Sequence, residues 1–217
     1  VYFKLPVLAP SSQQHATQSV NTDTPSKTRT PYVFVGACIC VFCAMAMMQQ
    51  TLGFFFIDFY HYTPVEAARQ VGFAMMVSAA ASLIAQFGWV QKGRVSKESM
   101  TMIALPLLGL AYLLLFLQTS LFVLYVAMTL MGLGMGMAYP SLAAAATTYC
   151  TPSQQPSITG LITATTAMGY IVGPPLAALI YQYNIALPFA TASALLAVTT
   201  GIIFITLHQV KKSGQNT

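Results

Sequence analysis

The sequence predicts an all-α membrane protein, a bundle of six transmembrane helices, and three observations carry that prediction. Only 6% of the 217 residues are charged while 56% are hydrophobic, whereas a water-soluble domain carries about a quarter charged residues to solvate its surface. Apolar stretches near the length of a bilayer crossing recur along the chain. Alternating ten-residue strands of the kind that close into barrels do not occur, and a backbone in hydrocarbon must bond its own N–H and C=O groups, so helices remain.

Residues 1–31 are rich in Ser, Thr, Gln and Pro and read as a solvated, largely disordered cytoplasmic linker, with Lys27 and Arg29 just ahead of the first apolar run. The bundle is expected over 32–207, with spans at 32–57, 65–90, 100–117, 121–146, 157–181 and 188–207, and a cytoplasmic tail at 208–217. At about 1.5 Å per residue each span can cross about 30 Å of hydrocarbon. The chain begins at Val1 without Met, and residues 1–30 hold no signal-peptide core, so an upstream segment is expected.

Orientation follows from the basic residues. With the linker in the cytoplasm, Lys4, Lys27, Arg29, Lys92, Arg94, Lys97, Lys211 and Lys212 fall on that side, eight of the nine Lys and Arg. Only Arg69 falls outside, beside Asp58 and Glu66. The positive-inside rule therefore places both termini of this segment in the cytoplasm. The formal charge of +5 is dispersed over span ends and builds no surface for nucleic acid.

The spans differ in kind. The third and sixth are nearly featureless and can face lipid all round, whereas the second, fourth and fifth are rich in Gly, Ala, Ser and Thr, which let helix backbones approach closely, and so should pack inside. Cys38, Cys40 and Cys43 lie within the first span and read as packing residues, because a metal there would require thiolates in hydrocarbon. No Ser-His-Asp pattern, phosphate loop or metal cluster is present, and His15, His61 and His208 lie outside the apolar cores. Neither an enzyme nor a cofactor is expected.

Several residue patterns point to a cavity. Met128, Met131, Met135 and Tyr139 follow helical spacing on the fourth span, either as an adaptable wall for ligands of varied shape or as ordinary packing. Thr159, Thr163, Thr166 and Tyr170 make a polar stripe on the fifth span, lining a wet path or bonding back to their own helix. Gln50 is the better cavity candidate of the Gln49–Gln50 pair. Phe54, Phe55, Phe56, Tyr60 and Tyr62 read as an interfacial aromatic belt, and Asp58 is expected to meet Arg69 across the outer loop.

The fifth span contains Gly160, eight residues, Gly169, three residues, then Gly173-Pro174 followed by Pro175, Leu176, Ala177 and Ala178. This resembles the antiporter signature of the major facilitator superfamily, Gly-x8-Gly-x3-Gly-Pro-x2-Gly-Gly, with alanines for the last two glycines. The loop Gly88-Trp89-Val90-Gln91-Lys92-Gly93-Arg94 resembles that family's gating loop without its acidic residue, and Met128 and Thr129 stand where an N-terminal half would show a buried Arg.

The resemblance therefore implies the C-terminal half of a twelve-helix major facilitator fold, with Lys92, Gly93 and Arg94 in a degraded gating loop and Gly160, Gly169, Gly173 and Pro174 in a helix-packing motif. Residues 49–54 with Ala67-Ala68-Arg69 are most similar to bacterial drug:proton antiporters. That likeness implies proton-coupled efflux of a small molecule across the bacterial inner membrane, jointly with a missing N-terminal six-helix half. No acidic or basic residue lies mid-span, so the coupling acid is expected in that other half. A six-helix channel or a non-transporting scaffold is the alternative.

Topology is directly testable. In a background lacking the four native cysteines, Lys97→Cys should react with an impermeant thiol reagent only from the cytoplasm and His61→Cys only from outside. Reaction of both from one side would eliminate the six-span arrangement.

Overall fold

The protein is seen in a computed structural model. It describes the backbone of residues 25–91, 95–117 and 120–215 and the side chains of 29–91, 95–117 and 120–212. Six helices account for nearly all of the described residues: α1 (Pro25–Tyr60), α2 (Pro64–Ala85), α3 (Lys97–Leu117), α4 (Leu121–Thr148), α5 (Gln155–Tyr181) and α6 (Leu187–Gln215). All six are long and apolar enough to cross a membrane. Helical pairing satisfies most of the backbone within each, as hydrocarbon demands.

Local chemistry sets the ends. The turn after α1 passes through His61, whose φ of 55° is left-handed, and Tyr62 N–H closes the end on the Phe56 carbonyl at 3.3 Å. Thr63 then caps α2 with Pro64 following, and Glu66 completes a reciprocal capping box, its carboxylate accepting from Thr63 N–H at 3.0 Å. At its other end α2 relaxes into a π-helical turn over Gln86–Val90, in which Gln91 N–H reaches the Gln86 carbonyl.

Two boundaries differ from the sequence reading. α1 begins at Pro25, so residues 25–31 of the expected linker are helical, and Pro31 is accommodated inside the helix. α6 runs to Gln215, through most of the expected tail. Both extensions carry polar and basic residues that weaken a hydropathy signal without opposing a helix. Residues 1–24 and the gating-loop residues Lys92, Gly93 and Arg94 lie outside the described residues.

α1 is the hub. It packs most extensively on α5 and also meets α6, α4 and α2, while α4 lies between α2 and α3, and α3 lies between α4 and α6. In its most apolar stretch α1 is 67% buried, against 44% for α3, 17% for α2 and 28% for α5. The expected roles of α2, α3 and α5 are thus reversed. Small residues fit α2 tightly to α4 and α5 tightly to α1, but each docks on essentially one neighbour and leaves its other face open. The bulky aliphatic surface of α3 fills the space between α4 and α6.

Glycine decides the closest contacts. A β-carbon at Gly169 would sit 2.5 Å from Phe42 Cβ, and one at Gly173 would sit 2.7 Å from Ala46 Cβ. On α4, a β-carbon at Gly136 would lie 2.6 Å from the Ser82 carbonyl oxygen, and Gly132 abuts the Ser78 carbonyl and Ala81. Gly134 instead meets Leu108 of α3. Gly160 departs from its expected place in the α5 packing face, because nothing lies within 4 Å of the position its β-carbon would take.

The N-terminal end of α3 and the C-terminal end of α4 are tied by side chains. Lys97 Nζ donates to Thr148 Oγ1 at 3.0 Å, and Tyr149 Oη donates to Glu98 at 3.1 Å while stacking on Phe34 of α1. Burial, with that hydrogen bond behind it, pushes the Tyr149 phenol above its ordinary pKa.

These contacts separate the glycines of α5. Gly173→Leu should destabilise the protein by about 1–3 kcal/mol, the usual cost of forcing bulk into a packed contact, whereas Gly160→Leu should stay within about 0.5 kcal/mol of the parent. Thermal stability of the purified variants measures both, and equal effects would reject the α1–α5 seam.

Candidate functional site

A cavity of about 320 Å³ opens among α1, α2 and α4, with α3 behind it. Five methionines line it: Met45 and Met48 from α1, Met75 from α2, and Met131 and Met135 from α4. Ser78 and Ser82 of α2 and Tyr112 of α3 supply the hydroxyls. No carboxylate, ammonium, guanidinium or imidazole borders it. The α2–α4 glycine seam forms one flank, because Gly132 and Gly136 press on the carbonyls of the same two serines.

Of the cavity residues expected from sequence, Met131 and Met135 meet here. Met128 is fully buried in the core, and Tyr139 packs edge-on against Phe42 with ring centroids 5.3 Å apart. Gln50 is exposed and away from the cavity, and its neighbour Gln49 makes the contact, accepting a hydrogen bond of 2.7 Å from Tyr170. Thr163 and Thr166 lie on the open face of α5. Thr163 bonds back to the Thr159 carbonyl, the local alternative that short hydroxyl side chains always have.

The sequence reading missed Met45, Met48, Met75 and Tyr112. Met45 and Met48 are three residues apart, a helical spacing hidden among the other apolar residues of α1. Tyr112 had a clear signal: from Met102 to Leu117 it is the one side chain carrying a polar atom.

Two further contacts correct the sequence reading. Asp58 accepts a hydrogen bond of 2.6 Å from Tyr181 of α5 instead of engaging Arg69, because parallel α1 and α5 bring those positions together about two turns beyond Gly173. Of the expected aromatic belt, Phe55 and Phe56 are buried and stack with Phe59, Tyr60, Tyr62 and Phe189 in one cluster, and Phe54 alone is strongly exposed. A second apolar crevice of about 340 Å³, beside Trp89 and between α3 and α4, holds none of the expected site residues.

Residues 69–217 match the Major Facilitator Superfamily. The chain belongs to that superfamily. It is accordingly a multi-pass membrane protein of a transporter family, not of an enzyme family. The six-helix bundle has the same fold as part of known peptide-transporter structures. It is similar to a mutant of the peptide transporter POT in complex with sulfate, with a TM-score of 0.73 and 13% identity over 82% of this chain and 38% of that one. The same transporter with alafosfalin gives 0.70 at 14% identity, again over 82% and 38%. A POT family transporter in complex with a thioalcohol-conjugated peptide gives 0.53 at 16% identity, over 87% and 44%. No curated protein matches the sequence. The chain thus spans less than half the length of the transporter structures it resembles.

The Gln49–Tyr170 contact joins the hub helix to α5 beside the glycine seam. Gln49→Met and Tyr170→Phe should each cost about 0.5–1.5 kcal/mol, and the double variant should cost little more than either alone. Additive losses in thermal stability would show that the two side chains act separately.

Proposed function

We propose that the chain is the C-terminal six-helix half of a secondary active transporter that exports a lipophilic small molecule by alternating access. The observation that carries this reading is the methionine-lined cavity, set in a superfamily bundle whose α2 and α5 leave a face open. A carrier half needs a surface to rock against its partner and a wall that substrate can wet, and flexible thioethers suit ligands of varied shape. Met131 and Met135 belong to that wall, while Gln50, Thr163 and Thr166 are proposed to line its outer and α5 margins once the other half is in place; Met128 and Tyr139 back it.

Coupling to protons is part of the proposal. An ionisable group at mid-membrane is the usual seat of a coupling proton, and the described spans place their acids at the ends, at Asp58, Glu66 and Glu98. The coupling acid is therefore assigned to the N-terminal half. Gly169, Gly173 and Pro174 hold α5 on α1 as the halves rock, and Lys92, Gly93 and Arg94, outside the described residues, are assigned the gating role that their sequence motif implies. The location is the bacterial inner membrane, with both ends of this segment cytoplasmic.

Flux measured in proteoliposomes tests the reading. The full-length protein should export lipophilic substrate with saturable kinetics, and collapsing the proton gradient should lower the initial rate at least about tenfold, because uncoupled exchange supplies no net driving force. Non-saturating flux that ignores the gradient would favour a channel instead.

A further inference from the structure

The cavity wall contains a phenol whose hydroxyl the packing around it does not use. The Tyr112 ring is 2% exposed, its hydroxyl makes no hydrogen bond among the described residues, and that oxygen is not enclosed by protein as the unpaired Tyr60 Oη is, so it opens onto the cavity. A phenol on the wall of an apolar cavity keeps a donor to give, and a ligand that fills the cavity without accepting it leaves that donor unmade. Tyr112 borders the cavity, so its donor is left for whatever occupies that space. Ser78, across the cavity on α2, likewise has a hydroxyl without a partner among the described residues.

We infer that this cavity binds an uncharged, largely apolar moiety bearing one hydrogen-bond acceptor, such as an aryl ketone, and that Tyr112 donates to that acceptor. The inference rests on reading the cavity as a substrate wall and adds the substrate's chemistry. About 320 Å³ is at the small end of ligand pockets and fits a fused two-ring system. The five methionines supply polarizable surface for its faces and edges. A permanent cation is disfavoured, because nothing bordering the cavity carries a compensating negative charge and a bare charge in an apolar site is costly. Specificity then comes from one donor. A site built around an unpaired donor rejects the ligand that lacks an acceptor, since that ligand leaves the donor unmade.

A matched set of probes separates these features. Saturable binding of radiolabelled 2-acetylnaphthalene, 2-ethylnaphthalene and 2-naphthyltrimethylammonium is measured on the immobilised full-length protein. The ketone should bind about fivefold more tightly than its ethyl counterpart, the measure of one net hydrogen bond, and the cation roughly tenfold or more weakly than the ketone. Tyr112→Phe should erase the ketone preference while leaving the affinity for 2-ethylnaphthalene unchanged, which also reports an intact fold. Ser78→Ala should leave the preference in place.

Equal binding of ketone and ethyl compound by the parent protein would overturn the inference, as would a cation that binds as well as the ketone. A preference lost in Ser78→Ala but kept in Tyr112→Phe would overturn the role of Tyr112. Gradient-driven export by a protein that binds none of the three probes would overturn the assigned chemistry while leaving the carrier reading standing.

Discussion

Helices in a bilayer are surrounded by a solvent as apolar as their own side chains, so burying leucine against leucine gains little over burying it against lipid. What remains is close packing, and close packing between backbones needs positions without side chains. The bundle depends on two such seams. Gly169 and Gly173 bring α5 onto α1, and Gly132 and Gly136 bring α4 onto α2, in each pair four residues apart and so on one helix face. Neither seam admits even a methyl group without displacing backbone or β-carbon atoms of the facing helix. Everything else in the bundle is arranged around α1 and α4, the two helices that make the most of their faces available to neighbours.

The second constraint is polar satisfaction. Most hydroxyls in the spans take the nearest solution and bond a carbonyl one turn back, as Thr51, Thr129, Thr199 and Thr200 do. Only a few bonds cross between helices, among them Thr101 to Ser141, Tyr125 to Gln70, Ser193 to the Gly109 carbonyl, and the two tyrosines of α5 onto α1. Each crossing bond fixes an axial register that apolar packing alone leaves loose. Against this background an unmade donor at a cavity is informative, and Tyr112 presents its hydroxyl from a ring that packing holds in place.

Fold class, span number and the superfamily were legible in the sequence because they rest on long-range averages: charge fraction, hydropathy over about twenty residues, and the spacing of Gly160, Gly169 and Gly173-Pro174. Neighbour relations were not. Small residues were read as a sign of deep burial, but they report only that one neighbour is close. α2 meets α4 through such residues and is otherwise open, and Gly160 obeys the spacing of the motif while facing empty space. The site was half legible for a related reason. A stripe such as Met128, Met131, Met135 and Tyr139 names a helix face, and a face is wider than a cavity, so it captured the two middle residues and missed the methionines that α1 and α2 contribute. Asp58 shows the same limit: its neighbour in sequence was Arg69, whereas its partner lies 123 positions away on a parallel helix.

The seams also constrain how the cavity can respond to what fills it. On the α2–α4 side the backbones are in contact at Ser78 and Ser82, so that flank cannot yield without breaking the seam, and Leu108 is held on the far side by Gly134. Adjustment must come from side chains. Methionine is unbranched at Cβ and turns about three bonds, so five of them can exchange rotamers at small energetic cost where Leu or Val would require the backbone to move. A wall rigid in its backbone and soft in its thioethers keeps its volume while changing its outline. The Tyr112 ring, 2% exposed, is held by packing as that flank is, and a fixed donor beside a deformable surface is what lets a site accept many shapes while still demanding one functional group.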